Sequence, residues 1–548
     1  MSPPSSEIIH ATQHRPSPSA SLGALEMGKS SSEHVEHVAE VDIGQDVIYH
    51  GGDDATKPRT GLRKLLRRNP SLEFIREVAI ENTKELDPVE VAKVEKKLFW
   101  LIVPALAVDY AFYYIDKTTL SYAAIFGIKK ELHLGGERYS NLSSIFYIGW
   151  LAWAIPGNLL LSKFPLAKYL SVNIFFWGVF LMAQAGSQSY EAMLAFRFVS
   201  GMFEAVADPC FVAITGMWFT RKQQPTIIGY WYTANGVGIA IGGLIGFGIG
   251  HIGGALSSWK YEFLIIGAAC SLWAIVMAII IPDAPHHTRW LTRREAVVVM
   301  SRKRHDHHTV EKRQLRWEQV WECAKDPKVY LFFLLGLFAN IPNGATSNFG
   351  TLVIKGFGFD TLQTTLLQIP YGSFIAIMIL LSVYINHLTN HMNVRTYFMA
   401  GITCITVIGF AMLAFTDSVA SRLIGYYLTG SSNAAFVLGL SLVSGNVGGS
   451  TKKVLASAAI FIGVAVGNII GPYAFIDSEA PGYHTGIIVC MVSRVCEIFV
   501  ILALRLCFVI PNRNRDAKFR AGDARYDPVV QEFDDITDMK NLHFRYVA

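Results

Sequence analysis

Charge is scarce in this sequence. Only 17% of its 548 residues are Asp, Glu, Lys or Arg, and 51% are hydrophobic. Soluble domains carry about a quarter charged residues, so the composition points to a membrane protein. Metal-binding and disulfide signals are also lacking. No CxxC pair or His/Cys cluster occurs, and six of the seven cysteines fall inside apolar runs, the exception being Cys323. No metal site is implied, and no extracellular disulfide framework is indicated. No nucleophile–base pairing or cofactor motif is present, which argues against an enzyme. The N-terminus has no charged segment leading into an apolar one, so no cleaved signal peptide is expected. The net charge of +5 does not imply nucleic-acid binding, because the basic residues sit between apolar runs. That placement suits a membrane surface.

Long apolar runs are what the chain does have. Twelve runs recur at approximately 98–123, 140–161, 168–187, 191–215, 227–252, 262–281, 329–352, 363–386, 395–415, 420–443, 454–476 and 485–510. Each has about the length a helix needs to cross a bilayer. The expected architecture is an all-α membrane protein, with residues 91–282 and 328–510 as two six-helix bundles. A charged loop, 283–327, joins them, and its His286-His287, His305 and His307-His308 read best as a solvated linker. Residues 1–90 and 511–548 read as polar tails, the first disordered and the second mostly so, with a basic, leucine-bearing stretch at 61–68 and Ser71 as a phosphorylation candidate. Lys163, Lys168, Arg221, Lys222, Arg395, Lys452 and Lys453 fall in alternate loops with the tails. By the positive-inside bias this side is cytoplasmic, with both termini.

Ionisable residues inside apolar runs cost a few kcal/mol each and persist where they face a partner or a wet cavity. The fourth run carries Arg197, Glu204 and Asp208, which share one helical face. Arg197 has the planar fork that grips a carboxylate in two places. Glu204, at depth, can exchange a proton. The competing reading is a structural network, and Asp208, beside Pro209, is expected to cap or bend the helix. In the first run, Asp109 and Asp116 share a face and are further proton-site candidates, while Lys117 is a cation above the cavity or an interfacial charge that snorkels outward.

Small residues at three- and four-residue spacing mark close helix contacts. Gly236 and Gly238 in the fifth run, with Gly467, Asn468, Gly471 and Pro472 in the eleventh, occupy matching places in the two bundles. They are read as packing or gating positions. The seventh run carries Asn340-Ile-Pro-Asn343-Gly and Asn348-Phe-Gly. Proline and glycine there are expected to break the helix and open a binding site, with Asn340, Asn343 and Asn348 contacting substrate.

The layout resembles the major facilitator superfamily. Tyr-Ile-Asp-Lys-Thr at 114–118, Arg-Phe with Phe-Glu-Ala at 197–205, Asn-Ile-Pro-Asn-Gly at 340–344, Lys-Gly-Phe-Gly-Phe at 355–359 and Gly-Asn-Ile-Ile-Gly-Pro at 467–472 are similar to its anion:cation symporters of the fungal allantoate-permease type. The resemblance covers about 90–515. It implies proton-coupled uptake of a small organic anion, with Lys117 and Arg197 on the substrate and Glu204 carrying the proton. The chain departs from that group at Phe219, Gln223 and Ile227, where a Trp-Tyr-x-x-x-Glu pattern and an arginine usually stand. An altered inner gate is expected there. The resulting expectation is a monomeric plasma-membrane carrier, working without a cofactor by alternating access. An exporter of a secondary metabolite and a non-transporting nutrient sensor are the alternatives.

Overall fold

In the computed structural model, the described residues are 87–161, 163–220, 223–284, 288, 290–306, 316–389, 393–523 and 535–548. The expectations for residues 1–86, including 61–68 and Ser71, and for His286-His287 and His307-His308 lie outside them. The principal described helices are α1 Pro88–Ile125, α2 Arg138–Leu161, α3 Leu166–Gln184, α4 Tyr190–Glu204, α5 Ala207–Trp218, α6 Gln224–Tyr232, α7 Ala234–Gly250, α8 Ser258–Ile280 and α9 Arg293–Asp306. They continue with α10 Trp317–Lys325, α11 Pro327–Gly356, α12 Thr361–Leu366, α13 Gln368–Thr389, α14 Arg395–Phe415, α15 Val419–Thr429, α16 Ser432–Asn446, α17 Ser450–Ile470 and α18 His484–Arg520. Among the described residues, eleven helical segments are long and apolar enough to cross a bilayer. The remaining expected crossing, 420–443, is a pair of shorter helices, α15 and α16. The twelve crossings form two six-helix bundles, α1–α8 and α11–α18. We call the end that carries the start of α1 and the end of α18 the terminal face, and the opposite end the far face.

The first crossing starts earlier than its apolar run. Asp87 caps α1 by accepting from the Val89 amide, and Pro88 follows as the first helical residue, where its missing N–H costs nothing. The charged turn that follows is held by α9 through Arg294 to Glu90 at 2.9 Å, Lys97 to Glu295 at 2.8 Å and Arg302 to Glu95 at 2.6 Å. Gln223, which stands where an acid was expected, donates to the same Glu95 at 2.7 Å.

The seventh crossing is not broken, contrary to the expectation from its proline and glycines. α11 runs unbroken through Pro342. A proline frees the carbonyl four residues back. That carbonyl, on Phe338, accepts from the Ser493 hydroxyl of α18 at 2.9 Å. Asn340, Thr346 and Asn348 bond backward to the Gly336, Pro342 and Gly344 carbonyls at 2.9, 2.8 and 2.8 Å. The glycines admit α17 instead. Leu337 and Ile341 carbonyls press on Gly467 and Gly471, so a methyl at either would clash with backbone.

The breaks occur elsewhere: between α4 and α5 at Ala205–Val206, α6 and α7 at Thr233, α12 and α13 at Leu367, and α15 and α16 at Gly430–Ser431. Hydroxyls serve the backbone around three of them. Thr233 bonds the Gly229 carbonyl at 2.8 Å, Thr365 that of Leu362 at 2.7 Å, and Thr429 and Ser431 those of Tyr426 and Leu428 at 2.6 and 2.8 Å.

The C-terminal segment, expected to be mostly disordered, is packed from Asp535 to Ala548 on the terminal face of the second bundle. Asp538 is fully buried and pairs with Lys328 of α11 and, at 3.0 Å, with Lys452 of α17. Asn446 exchanges two hydrogen bonds with Val547, at 2.8 and 2.7 Å. Arg515 donates to the Phe544 and Asp538 carbonyls at 2.6 and 2.7 Å. A polar sequence thus orders because its charges answer charges that α11 and α17 bury.

Burial alone would push the Asp538 carboxyl up, but Lys328 and Lys452 hold it below the usual carboxylate range. A depressed acid stabilises the folded state above its ordinary titration range and loses that contribution as pH falls through the depressed value. Asp538→Ala should cost about 3–5 kcal/mol, the range for breaking a buried pair. It should lower the melting temperature of the purified protein and speed protease cleavage of residues 535–548. Acidification of the wild type should reproduce the cleavage, with the onset below the normal carboxylate range.

Candidate functional site

A polar cleft lies between the two bundles. Tyr114, Thr118 and Ser121 of α1, Ile239 of α7, Asn343, Thr346, Ser347 and Thr351 of α11, Gln368 and Tyr371 of α13, Tyr426 of α15, and Ser432 and Asn433 of α16 line it. Gln368 and Ser432 are the first residues of helices that restart after a break. Hydroxyls, amides and tyrosines make this wall, and none of these residues is charged.

The charge lies in the first bundle. Lys117 is one turn from Tyr114 and Ser121 on α1. Its ammonium sits 3.9, 4.9 and 5.9 Å from the ring centroids of Tyr113, Tyr114 and Tyr147, a cage that stabilises a desolvated cation. Glu204, Asp208 and Asp116 surround it electrostatically. Glu204, at the end of α4, is 1% exposed and neither carboxylate oxygen has a hydrogen-bond partner. Asp208 accepts from Tyr113 at 3.4 Å, and Asp116 accepts from Trp177 at 2.8 Å.

The structure separates the other expected residues from this cluster or from the cleft. The Arg197 side chain donates to the Leu142 carbonyl at 3.0 Å and to Gln184 at 3.4 Å, tying α4 to α2 and α3. Its Nε and Nη1 are thus engaged by protein, and Arg197 is not among the residues that line the cleft. Asp109 is buried beside Cys210 and Cys270 with both oxygens unpartnered. It and Asp116 lie on the α1 face turned away from Tyr114 and Thr118. Of the three asparagines, only Asn343 reaches the cleft. It donates to Asn468 at 2.9 Å, and Asn468 donates to Asn340 at 3.2 Å, an amide chain between α11 and α17.

The glycines divide in the same way. Gly236 meets Gly372 of α13 across the two bundles and Gly238 meets Ala111 of α1, whereas Gly467 and Gly471 pack inside the second bundle. Pro472 accepts from Ser140 at 3.1 Å at the far face.

Several ionisable groups escaped the sequence reading although they carry the signal that singled out the fourth run. Glu262 is buried in α8 with both oxygens unpartnered, and Arg494 and Glu497 of α18 pair at 2.7 Å inside the second bundle. Gln368, Tyr371, Tyr426 and Asn433 carried no such signal, because neutral polar residues are common in helices of every kind.

Direct hydrogen bonds between the bundles gather at the far face. Ser121 and Thr351 hydroxyls meet at 2.7 Å, Tyr139 donates to the Asn348 carbonyl at 2.7 Å, and Ser144 to that of Ile469 at 2.7 Å. One ion pair, Lys129 with Asp477 at 2.6 Å, closes the outermost layer. Asn235 donates to Asn433 at 3.1 Å deeper in the seam.

Twelve crossings in two bundles around a central polar cleft define a membrane carrier, and comparison with known proteins agrees. The Major Facilitator Superfamily profile matches residues 106–472. The chain belongs to this superfamily, and among its relatives are the fungal transporters of the allantoate-permease type. An uncharacterized transporter of Schizosaccharomyces pombe is 34% identical over 87% of this chain and 89% of its own. The allantoate permease of Saccharomyces cerevisiae is 30% identical over 85% and 88%, and the thiamine pathway transporter THI73 of the same yeast 31% over 84% and 87%. In fold, a bacterial homolog of the human lysosomal transporter Spinster covers 77% of this chain and 98% of its own, with TM-score 0.56 at 14% identity. The Escherichia coli xylose transporter XylE covers 72% and 96%, with TM-score 0.53 at 12% identity.

Removing the ion pair at the far face should loosen that closure. A cysteine placed at Ser347 in the cleft, in a background freed of reactive native cysteines, should react with an impermeant thiol reagent from the far side about two- to fivefold faster in Lys129→Ala, the range for a partly exposed pair. Exchanging the charges, Lys129→Asp with Asp477→Lys, should restore the slow rate.

Proposed function

We propose that this transporter takes up a small organic anion together with protons. The observation that carries the reading is Lys117, caged by tyrosines beside the unpartnered Glu204 carboxyl. One ammonium serves two anions here. With Glu204 ionised, its charge competes for Lys117. With Glu204 protonated, that demand disappears and Lys117 is available to a substrate carboxylate entering from the cleft. Proton and anion therefore bind in support of each other, which is the coupling a symporter needs. Arg197 adds positive field from behind this cluster, and its contacts favour holding α2, α3 and α4 in place over direct substrate contact. Asp116 and Asp208 keep the local charge balanced while the anion is absent.

The closed far face and the glycine seam between α7 and α13 suit alternating access, with the bundles rocking about the cleft. The basic loops support a cytoplasmic terminal face, and the plasma membrane is the location consistent with uptake. The names of the yeast relatives support a nitrogenous carboxylate or vitamin-like substrate, and one chain holds both bundles, as a monomeric carrier requires.

The test uses proteoliposomes and labelled carboxylates, with allantoate and nicotinate as first probes. Wild-type uptake should rise with an inward-directed proton gradient, and anion affinity should fall as pH rises, because protonation favours the anion. Glu204→Gln should keep anion binding but lose the gradient drive and the pH dependence. Lys117→Met should lose binding by about tenfold or more, the scale of a charge-assisted hydrogen bond. Gradient-driven uptake that survives Glu204→Gln would refute the proton role.

A further inference from the structure

Gln368 lines the cleft and carries a buried, unfilled donor. It opens α13 immediately after the break at Leu367, and its side chain is 3% exposed. Its Oε1 accepts from the Tyr426 hydroxyl at 3.2 Å, which fixes which way the amide faces. Its Nε2 has no partner. A buried amide donor left unmatched is costly, and polar groups of this kind are filled by a ligand or by water. One turn along α13, Tyr371 packs against Tyr426 with ring centroids 4.5 Å apart at 38°, an aromatic surface next to the open donor. Gly350 leaves room for the Tyr426 hydroxyl, which lies 2.5 Å from where a methyl would be. The position of Tyr426 is therefore fixed by packing as well as by hydrogen bonding.

We propose that Gln368, Tyr371 and Tyr426 form a neutral recognition subsite that reads a hydrogen-bond acceptor, a carbonyl oxygen or ring nitrogen, on a planar part of the substrate. This deepens the reading above and rests on it. Lys117 in the first bundle holds the negative end, and Gln368 in the second reads the uncharged end. A substrate spanning both draws the bundles together across the cleft. Gln368 is the specificity-determining residue, and Tyr426 positions it.

The test compares matched acids that differ in the acceptor alone. The full-length protein in detergent is titrated with nicotinate and benzoate, and with 5-oxohexanoate and hexanoate, following ligand-induced stabilisation. In the wild type, the acceptor-bearing member of each pair should bind about five- to a hundredfold more tightly, the range for one buried hydrogen bond. Gln368→Met should bring that ratio close to one by weakening the acceptor-bearing member of each pair. Gln368→Leu, an uncharged variant that likewise lacks the amide donors, should do the same, and it guards against a variant that fails to fold. Tyr426→Phe should reduce the ratio partway. Equal binding within each pair in the wild type would show that water alone fills the site and would overturn the subsite without touching the anion reading. A preference that survives both Gln368 variants would also overturn it. If no acid of either pair binds, the anion reading falls and takes the subsite with it.

Discussion

A chain that crosses a bilayer must satisfy its own backbone, because the hydrocarbon offers no hydrogen bonds. This constraint decides where the helices of this carrier break. Pro342 sits in mid-helix in α11, yet the helix continues, since the carbonyl it frees finds the Ser493 hydroxyl and neighbouring side chains bond back along the same helix. The breaks at Thr233 and Gly430–Ser431 have no proline in the turn that follows, whereas Pro370 lies in the first turn after Leu367. Threonine and serine hydroxyls take up backbone carbonyls there, and the restarting helices lead straight into the cleft wall. Irregular backbone is tolerated where it borders the polar cleft, and the cleft in turn receives Gln368 and Ser432 as first residues of new helices.

The second constraint is charge, and the two bundles meet it differently. In the second bundle, Arg494 and Glu497 pair within one helix, and Lys328, Lys452, Asp326 and Asp538 form a closed network under the C-terminal segment. Breaking one member leaves others buried without compensation, so this half is held rigid. The first bundle leaves its charges incompletely matched. Glu204, Asp109 and Glu262 each have both oxygens unpartnered, and Lys117 rests on aromatic faces. Groups without fixed partners are the ones free to change protonation or to accept a ligand. On the proposed reading, proton and anion chemistry would belong to the first bundle, and the second would supply the frame and the neutral subsite.

Much of this was legible in the sequence. Twelve apolar runs and a charged central loop suffice for the fold, because bilayer thickness sets one length for every crossing. The cost of charge at depth picked out Lys117, Asp116, Glu204 and Asp208, and the structure does bring these four together. Arg197 was legible as buried, but its engagement with the Leu142 carbonyl was not. A contact between helices depends on rotation about each axis, which spacing along one helix does not determine. The broken seventh crossing was misjudged because proline and glycine report local backbone freedom, whereas the break depends on whether a distant donor reaches the freed carbonyl. The C-terminal segment was misjudged for the complementary reason. Its composition is that of a solvated tail, and its order comes from lysines that lie 210 and 86 residues earlier, Lys328 and Lys452.

The closure of the far face shows how these parts act as one machine. Its bonds are mostly between neutral hydroxyls and backbone carbonyls, with Thr351, Tyr139, Ser140 and Ser144 donating to the carbonyls of Ser121, Asn348, Pro472 and Ile469. Each is worth about 0.5–1.5 kcal/mol net, so the layer as a whole is strong enough to hold and weak enough to release. A closure built from buried ion pairs would be costly to break singly and would trap the carrier in one state. Ser121 lies one helical turn from Lys117 on α1, and its partner Thr351 shares the cleft wall with Gln368. An anion drawing on Lys117 and a neutral group engaging Gln368 would act on the two helices that this closure joins. On the proposed reading, charge in one bundle and neutral recognition in the other would make substrate itself the link between binding and the motion of the halves.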